Sequence, residues 1–100
     1  MLADTVRSGQ TTVTTAGTAV RLSSATIRCT RVTIQALDGN TGAIYVGNDG
    51  AGDVTSANGF VLGATAGTND RLTLDVADLA KVWIDSAVNG EGVSWIAEVV

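Results

Sequence analysis

Any chemistry in this sequence would have to begin at its cysteine or its carboxylates. Cys29 is the one cysteine, and a thiolate there could act as a nucleophile. The usual base for such a thiol is histidine, and the chain has none. That absence rules out Ser-His-Asp and Cys-His arrangements within one chain and removes the commonest zinc ligand. A single cysteine also leaves no intrachain disulfide. The plainer reading of Cys29 is a small apolar residue buried in a strand.

Ten acidic residues remain. Two carboxylates flanking a sugar could cleave a glycosidic bond. Here the acids fall mainly in turns or at outward strand positions, where water solvates them, whereas catalytic acids sit in pockets that perturb them. The loop Asn48-Asp49-Gly50-Ala51-Gly52-Asp53 sets oxygen ligands at short spacing, as calcium loops do. It lacks the EF-hand spacing and the bidentate Glu, and Asn, Asp and Gly are equally what a tight connection needs. No dinucleotide or P-loop glycine pattern occurs. The expectation is a protein that is not an enzyme and takes no metal or other cofactor.

The aromatic residues Tyr45, Phe60, Trp83 and Trp95 lie in four separate segments. Gathered on one face they could stack on sugars or bases, whereas isolated rings more often fill cores. Trp83 is the candidate interface residue. In Lys81-Val82-Trp83-Ile84-Asp85, alternation sets Val82 and Ile84 on one face and Lys81, Trp83 and Asp85 on the other. If the aliphatic pair fills the core, Trp83 faces outward between two charges, the usual form of an interface anchor. The converse stays open, with Trp83 in the core and the aliphatic pair against a neighbouring loop or subunit.

The elements that would position these residues are short strands. One hundred residues make one domain. Val and Thr are abundant, and branching at Cβ favours a pleated surface over a helix. The 12 glycines and the absence of proline fit strands joined by Gly, Asn and Asp turns. Residues 1–9 read as an N-terminal arm and 10–100 as a single β domain. Strands are expected over 10–15, 18–22 and 28–37, the last with Val32, Ile34 and Ala36 inward and Arg31, Thr33 and Gln35 outward. Asp38-Gly39-Asn40-Thr41-Gly42 reads as a tight hairpin into a return strand over 43–47. A weak strand over 53–57, a short apolar one over 60–62 and a loop over 63–70 follow. Residues 71–76 alternate again, and Asp78 caps one helical turn. Strands over 81–85 and 92–99, with a turn at Asn89-Gly90, read as a hairpin. The fold class is all-β, a single antiparallel β-sandwich or jelly-roll-like barrel of about seven to nine short strands.

The net charge is −4, and the six cations are scattered. Nucleic acid binding needs cations clustered on one face, so no nucleic acid partner is expected. No apolar stretch approaches a membrane span, and residues 1–10 lack a signal peptide's apolar region. The expectation is a soluble protein, without a membrane partner, made in a cytoplasm.

Two blocks resemble small virion proteins of tailed bacteriophages. One is Arg31-Val-Thr-Ile-Gln-Ala-Leu-Asp-Gly-Asn-Thr-Gly-Ala-Ile-Tyr-Val-Gly47. The other is Arg71-Leu-Thr-Leu-Asp-Val-Ala-Asp-Leu-Ala-Lys-Val-Trp-Ile-Asp85, followed by Gly90-Glu-Gly-Val-Ser94. In that family a strand "V-x-I-x-A" leads through an Asn-Thr-Gly turn into "I-Y-V-G", and a "D-L-x-K-V" corner with an "I-D" strand comes later. Val32, Ile34 and Ala36 match the first strand, Asn40, Thr41 and Gly42 the turn, and Ile44, Tyr45, Val46 and Gly47 the return. Asp78, Leu79, Lys81 and Val82 match the corner. The matching blocks are spread over residues 31–94, about two-thirds of the chain. It implies a capsid decoration, or cement, protein of the virion surface, made in the host cytoplasm and braced against the major capsid protein. It implies no catalytic residues. The three-fold symmetry of capsids suggests a homo-oligomer, a trimer. The alternatives are a tail or fibre-associated module and a carbohydrate-binding β-sandwich.

Overall fold

Residues 5–65 and 68–100 are described by a computed structural model, and the alternating stretches of sequence form its strands. In chain order they are β1 (Thr5–Val13), β2 (Val20–Arg21), β3 (Cys29–Ala36), β4 (Ile44–Gly47), β5 (Phe60–Leu62), β6 (Ala64–Thr65), β7 (Thr68–Asn69), β8 (Arg71–Leu74), β9 (Trp83–Ser86) and β10 (Glu91–Val99). One 3-10 turn, Leu79–Lys81, precedes β9. Two antiparallel four-stranded sheets pack face to face, with orders β1-β10-β3-β8 and β2-β9-β4-β5, and β6 and β7 form a separate small ladder. The fold is an all-β sandwich. Among the described residues no helix is long and apolar enough to cross a membrane.

Burial follows the period of two. In β3, Val32, Ile34 and Ala36 are buried and Arg31 is exposed, as alternation predicts. One irregularity resets the phase: Arg31 faces Glu98 and Cys29 faces Val99, so Thr30 is an extra residue on β3. Such a bulge turns Cys29 into the core, where simple alternation would have set it beside Arg31. The core interleaves Val13, Val32, Ile34, Val93 and Ala97 of the first sheet with Ile44, Val46, Leu62 and Ile84 of the second. Full burial of such a side chain contributes about 1.5–3 kcal/mol, which makes this layer the main source of stability. The side chains are short, so the molecule is a slab of 37 × 32 × 18 Å.

Several expected boundaries and pairings are corrected. Thr5–Gly9, expected within an arm, belong to β1, which pairs with β10 from Thr5↔Val99 to Val13↔Glu91. Such an edge strand needs little apolar patterning, because most of its side chains stay exposed. Met1–Asp4 lie outside the described residues. The connection over 38–42 is not a hairpin: β3 is in the first sheet and β4 in the second, so the chain crosses the sandwich there. The same holds for β9 and β10, expected as a hairpin pair and found in opposite sheets. Turn residues reverse the chain locally, but the sheet that a strand joins depends on where its apolar face finds a partner. The weak strand over 53–57 is instead a turn, in which the Asn58 carboxamide oxygen accepts from Thr55 N–H at 2.8 Å and Gly59 N–H donates to the Thr55 carbonyl at 2.9 Å. Part of the expected loop over 63–70 is the β6–β7 ladder, while Ala66 and Gly67 lie outside the described residues. Asp78 caps the 3-10 turn as expected, accepting from Ala80 N–H at 2.9 Å and from Ile27 N–H at 3.3 Å.

Two of the connections that cross between the sheets, β3 to β4 and β9 to β10, are fastened together at the start of β10. The Asn40 side chain donates to the Gly92 carbonyl at 2.8 Å and accepts from Gly92 N–H at 3.3 Å. The Glu91 carboxylate accepts from Thr41 N–H at 2.6 Å, the Thr41 hydroxyl at 2.9 Å and Gly42 N–H at 2.8 Å.

Two outcomes follow for stability. A Cβ on Gly92 would clash with the Thr11 carbonyl oxygen, a backbone atom with no freedom to yield. Urea denaturation of Gly92→Ala is expected to show a loss of about 3 kcal/mol or more, as overpacking against rigid backbone does. At Gly39 an added Cβ meets nothing within 4 Å, and Gly39→Ala is expected to stay within about 1 kcal/mol of the parent. Desolvation would by itself raise the pKa of Glu91, but its hydrogen bonds from Gly42 and Thr41 outweigh that and hold the pKa below the usual value. A depressed folded-state pKa stabilises the fold above the ordinary glutamate value of about 4.3, and the contribution is lost as pH falls through the lower folded value. Urea melts at stepped acid pH should therefore show a falling limb that is shallower in Glu91→Gln.

Candidate functional site

β9 has its apolar side against the core: Val82, just before it, and Ile84 are both buried. Trp83 therefore stands on the outer face of the second sheet, where it is half-buried, in the outward orientation that alternation favours. Its cross-strand neighbours explain why it is held there. Arg21 of β2 lies directly opposite on one side, and Gly47 of β4 on the other. The Arg21 guanidinium carbon sits 5.2 Å from the indole centroid, within range of a cation–π attraction. Gly47 contributes no side chain, which leaves room for the following loop to fold over the ring. Gly52 in that loop has φ +111°, and a Cβ there would reach within 3.7 Å of the indole nitrogen.

The loop Asn48–Asp53 is closed by its own polar groups. The Asn48 carboxamide oxygen accepts from Gly50 N–H at 2.7 Å and Gly52 N–H at 3.2 Å. An Asp49 carboxylate oxygen accepts from Ala51 N–H at 2.6 Å. The side-chain oxygens of Asn48 and Asp49 thus supply turn geometry. Among the described residues no three His, Cys, Asp or Glu side chains come together to hold a metal. The Asn48 amide also donates to the Lys81 carbonyl at 3.2 Å, which ties the loop to the residue two before Trp83.

Together these parts form a groove of about 450 Å³ whose lining includes Arg21, Thr26, Asn48, Gly52, Lys81 and Trp83. It combines an indole, two cationic side chains and an amide. Such a set has the chemistry to hold a flat or acidic group. It offers no nucleophile paired with a base. Asp78 also borders the groove, but its carboxylate is engaged as the cap described above.

Asp85 corrects one expectation. It shares the face of Trp83, yet it is only 4% exposed, because the turn around Gly17 folds over it. One of its carboxylate oxygens accepts from Gly17 N–H at 2.9 Å and Ser86 N–H at 2.8 Å. The charged rim of Trp83 is therefore Lys81 with Arg21, not Lys81 with Asp85. Sequence reasoning missed Arg21 as a site residue. Its outward position was readable from Val20-Arg21-Leu22, but its place over Trp83 follows only from the β2–β9 register.

The remaining candidates fall elsewhere. Cys29 is 5% exposed in β3, and its thiol donates to the Val76 carbonyl at 3.0 Å. Burial pushes its pKa up, and the nearby Asp78 charge adds to the rise, so the unreactive thiol form is favoured. Trp95 is a core plug on β10 whose indole N–H donates to the Thr11 hydroxyl at 3.2 Å. Tyr45 is half-buried beside Asp85, and Phe60 is exposed on the edge strand β5.

A half-buried ring is expected to cost less on removal than a core ring. Trp83→Ala should lower stability by about 1–2 kcal/mol in urea denaturation, against about 3–5 kcal/mol for emptying a buried aromatic site. A loss in the larger range would place the ring in the core.

Comparison with protein families, curated proteins and solved structures finds no match for this chain.

Proposed function

We propose that this protein is a structural component of a bacteriophage virion that decorates and braces the outer surface of the capsid, with the major capsid protein docked in the Trp83 groove. It acts by binding, without a reaction. The two blocks that resemble phage virion proteins are shared between the sheets: β4, the 3-10 turn and most of β9 lie at or beside the groove, and β8 and most of β3 lie in the opposite sheet.

The observation that carries this reading is the arrangement of Trp83. Its indole is held in place before any partner arrives, by Arg21 on one side and the self-closed loop on the other. A pre-set aromatic anchor with a polar rim concentrates binding energy and loses little conformational entropy on docking. The chain carries a net charge of −4, yet the groove presents Arg21 and Lys81. That local reversal of sign favours an acidic segment on the shell and discourages self-association through the same groove. A slab 18 Å thick lies flat on a shell without projecting far from it.

Co-sedimentation with capsids that lack the protein tests the reading. The parent is expected to bind, and Trp83→Ala and Arg21→Ala to bind at least about tenfold more weakly while staying folded, as truncated anchors do. Undiminished binding by both variants would overturn the groove's role. Binding to tail structures instead of capsids would move the function to a tail or fibre module, and specific signals on a glycan array would move it to carbohydrate recognition.

A further inference from the structure

The two sheets have four edges, and three of them are short: β2 spans 2 residues, β5 spans 3 and β8 spans 4. The fourth, β1, spans 9 residues and pairs along its whole length with β10 without a register shift. An edge strand carries a row of unpaired N–H and C=O groups, which proteins commonly blunt with brevity, lysine, proline or a bulge. The β1 sequence, TVRSGQTTV, has none of these.

The phase of the ladder says which groups are open. The Val13 carbonyl accepts from Gly90 N–H, and the Gly92 carbonyl turns to the opposite side, accepting from Leu37 N–H. In an antiparallel ladder successive residues bond to alternate sides. Thr5, Arg7, Gly9, Thr11 and Val13 thus bond toward β10, while Val6, Ser8, Gln10 and Thr12 turn their N–H and C=O groups to an edge that no strand covers among the described residues. These four residues are also exposed, Val6 to 60%.

We propose that this edge pairs with the same edge of a second copy, antiparallel about a two-fold axis at Gly9, joining the first sheets of two molecules into one. The strand is self-complementary in that register. All nine residues overlap, with Ser8 of one copy opposite Gln10 of the other, Val6 opposite Thr12, and Gly9 opposite Gly9. Because the centre falls on a residue, the open groups of both copies are in phase and every one finds a partner. Arg7, the only charge in β1, falls opposite Thr11, so like charges do not face each other. Gly9 at the axis has its own reason to lack a side chain: a Cβ there would lie 2.8 Å from the Trp95 ring. Two small residues therefore meet where the copies approach, and the two Trp95 rings flank the axis from beneath. The contact is independent of the Trp83 groove and of the capsid reading. It is two-fold, in place of the trimer that capsid symmetry suggested.

Light scattering of the purified protein over a range of concentrations is expected to show a monomer–dimer equilibrium. Amide exchange followed by NMR in the same samples should show Val6, Ser8, Gln10 and Thr12 protected when concentrated and fast when dilute. Ser8→Pro removes an edge-facing N–H that β10 does not use, so it should abolish the dimer and leave the monomer folded. Gln10→Lys, which keeps every backbone group, should weaken the dimer by charge at the edge and serves if the proline variant fails to fold. A monomer at every concentration, a trimer, a dimer that survives a folded variant unchanged, or concentration-independent exchange at the four amides would overturn the proposal.

Discussion

At one end of the sandwich, Glu91 and Gly92 hold together three segments on which the rest of the structure depends. Gly92 presses its backbone against Thr11 and Thr12 of β1, closer than any side chain would permit. Its N–H and C=O are also engaged by the Asn40 side chain, and Glu91 gathers Thr41 and Gly42. Two of the crossings between sheets, β3 to β4 and β9 to β10, pass through this point. Loosening it would free the β3–β4 and β9–β10 connections, while the β1–β2, β2–β3 and β8–β9 connections would still link the sheets. The polar cluster contributes geometry above all. The favourable free energy comes from the apolar layer that it brings into register.

The groove around Trp83 is a consequence of that packing. Once Val82 and Ile84 are drawn into the core, the intervening residue must face outward. The half-buried ring is then stabilised locally, by the Arg21 cation above it and by a loop whose Asn and Asp side chains satisfy its own backbone. The opposite fate of Asp85 shows how fine the balance is. It lies two residues on, on the same face, and is covered because Gly17, at φ +89°, bends the 14–18 turn so that its N–H meets the carboxylate.

Much of this was readable in the residues. The fold class followed from Val and Thr content and from period-two stretches such as Val32-Thr33-Ile34, because alternation is a local property of a pleated chain. The cap at Asp78 was legible from the side chain that precedes the turn, and the burial of Cys29 from its small apolar character, although alternation alone would set Cys29 beside Arg31 and the bulge at Thr30 was not readable. The outward face of Trp83 was legible as the preferred of two alternatives.

Tertiary structure alone decided which strands are neighbours. Asp38-Gly39-Asn40 and Asn89-Gly90 carry the composition of hairpin turns, yet both connections cross between sheets. A turn motif fixes the direction of the chain over a few residues, and the choice of sheet depends on the summed burial of whole strands far apart in sequence. The first half of β1 was hidden because an edge strand with a mostly exposed surface leaves little apolar signature. Arg21 joined the site, and Asp85 left it, through the β2–β9 register and the 14–18 turn, contacts spanning more than sixty residues that no local pattern encodes.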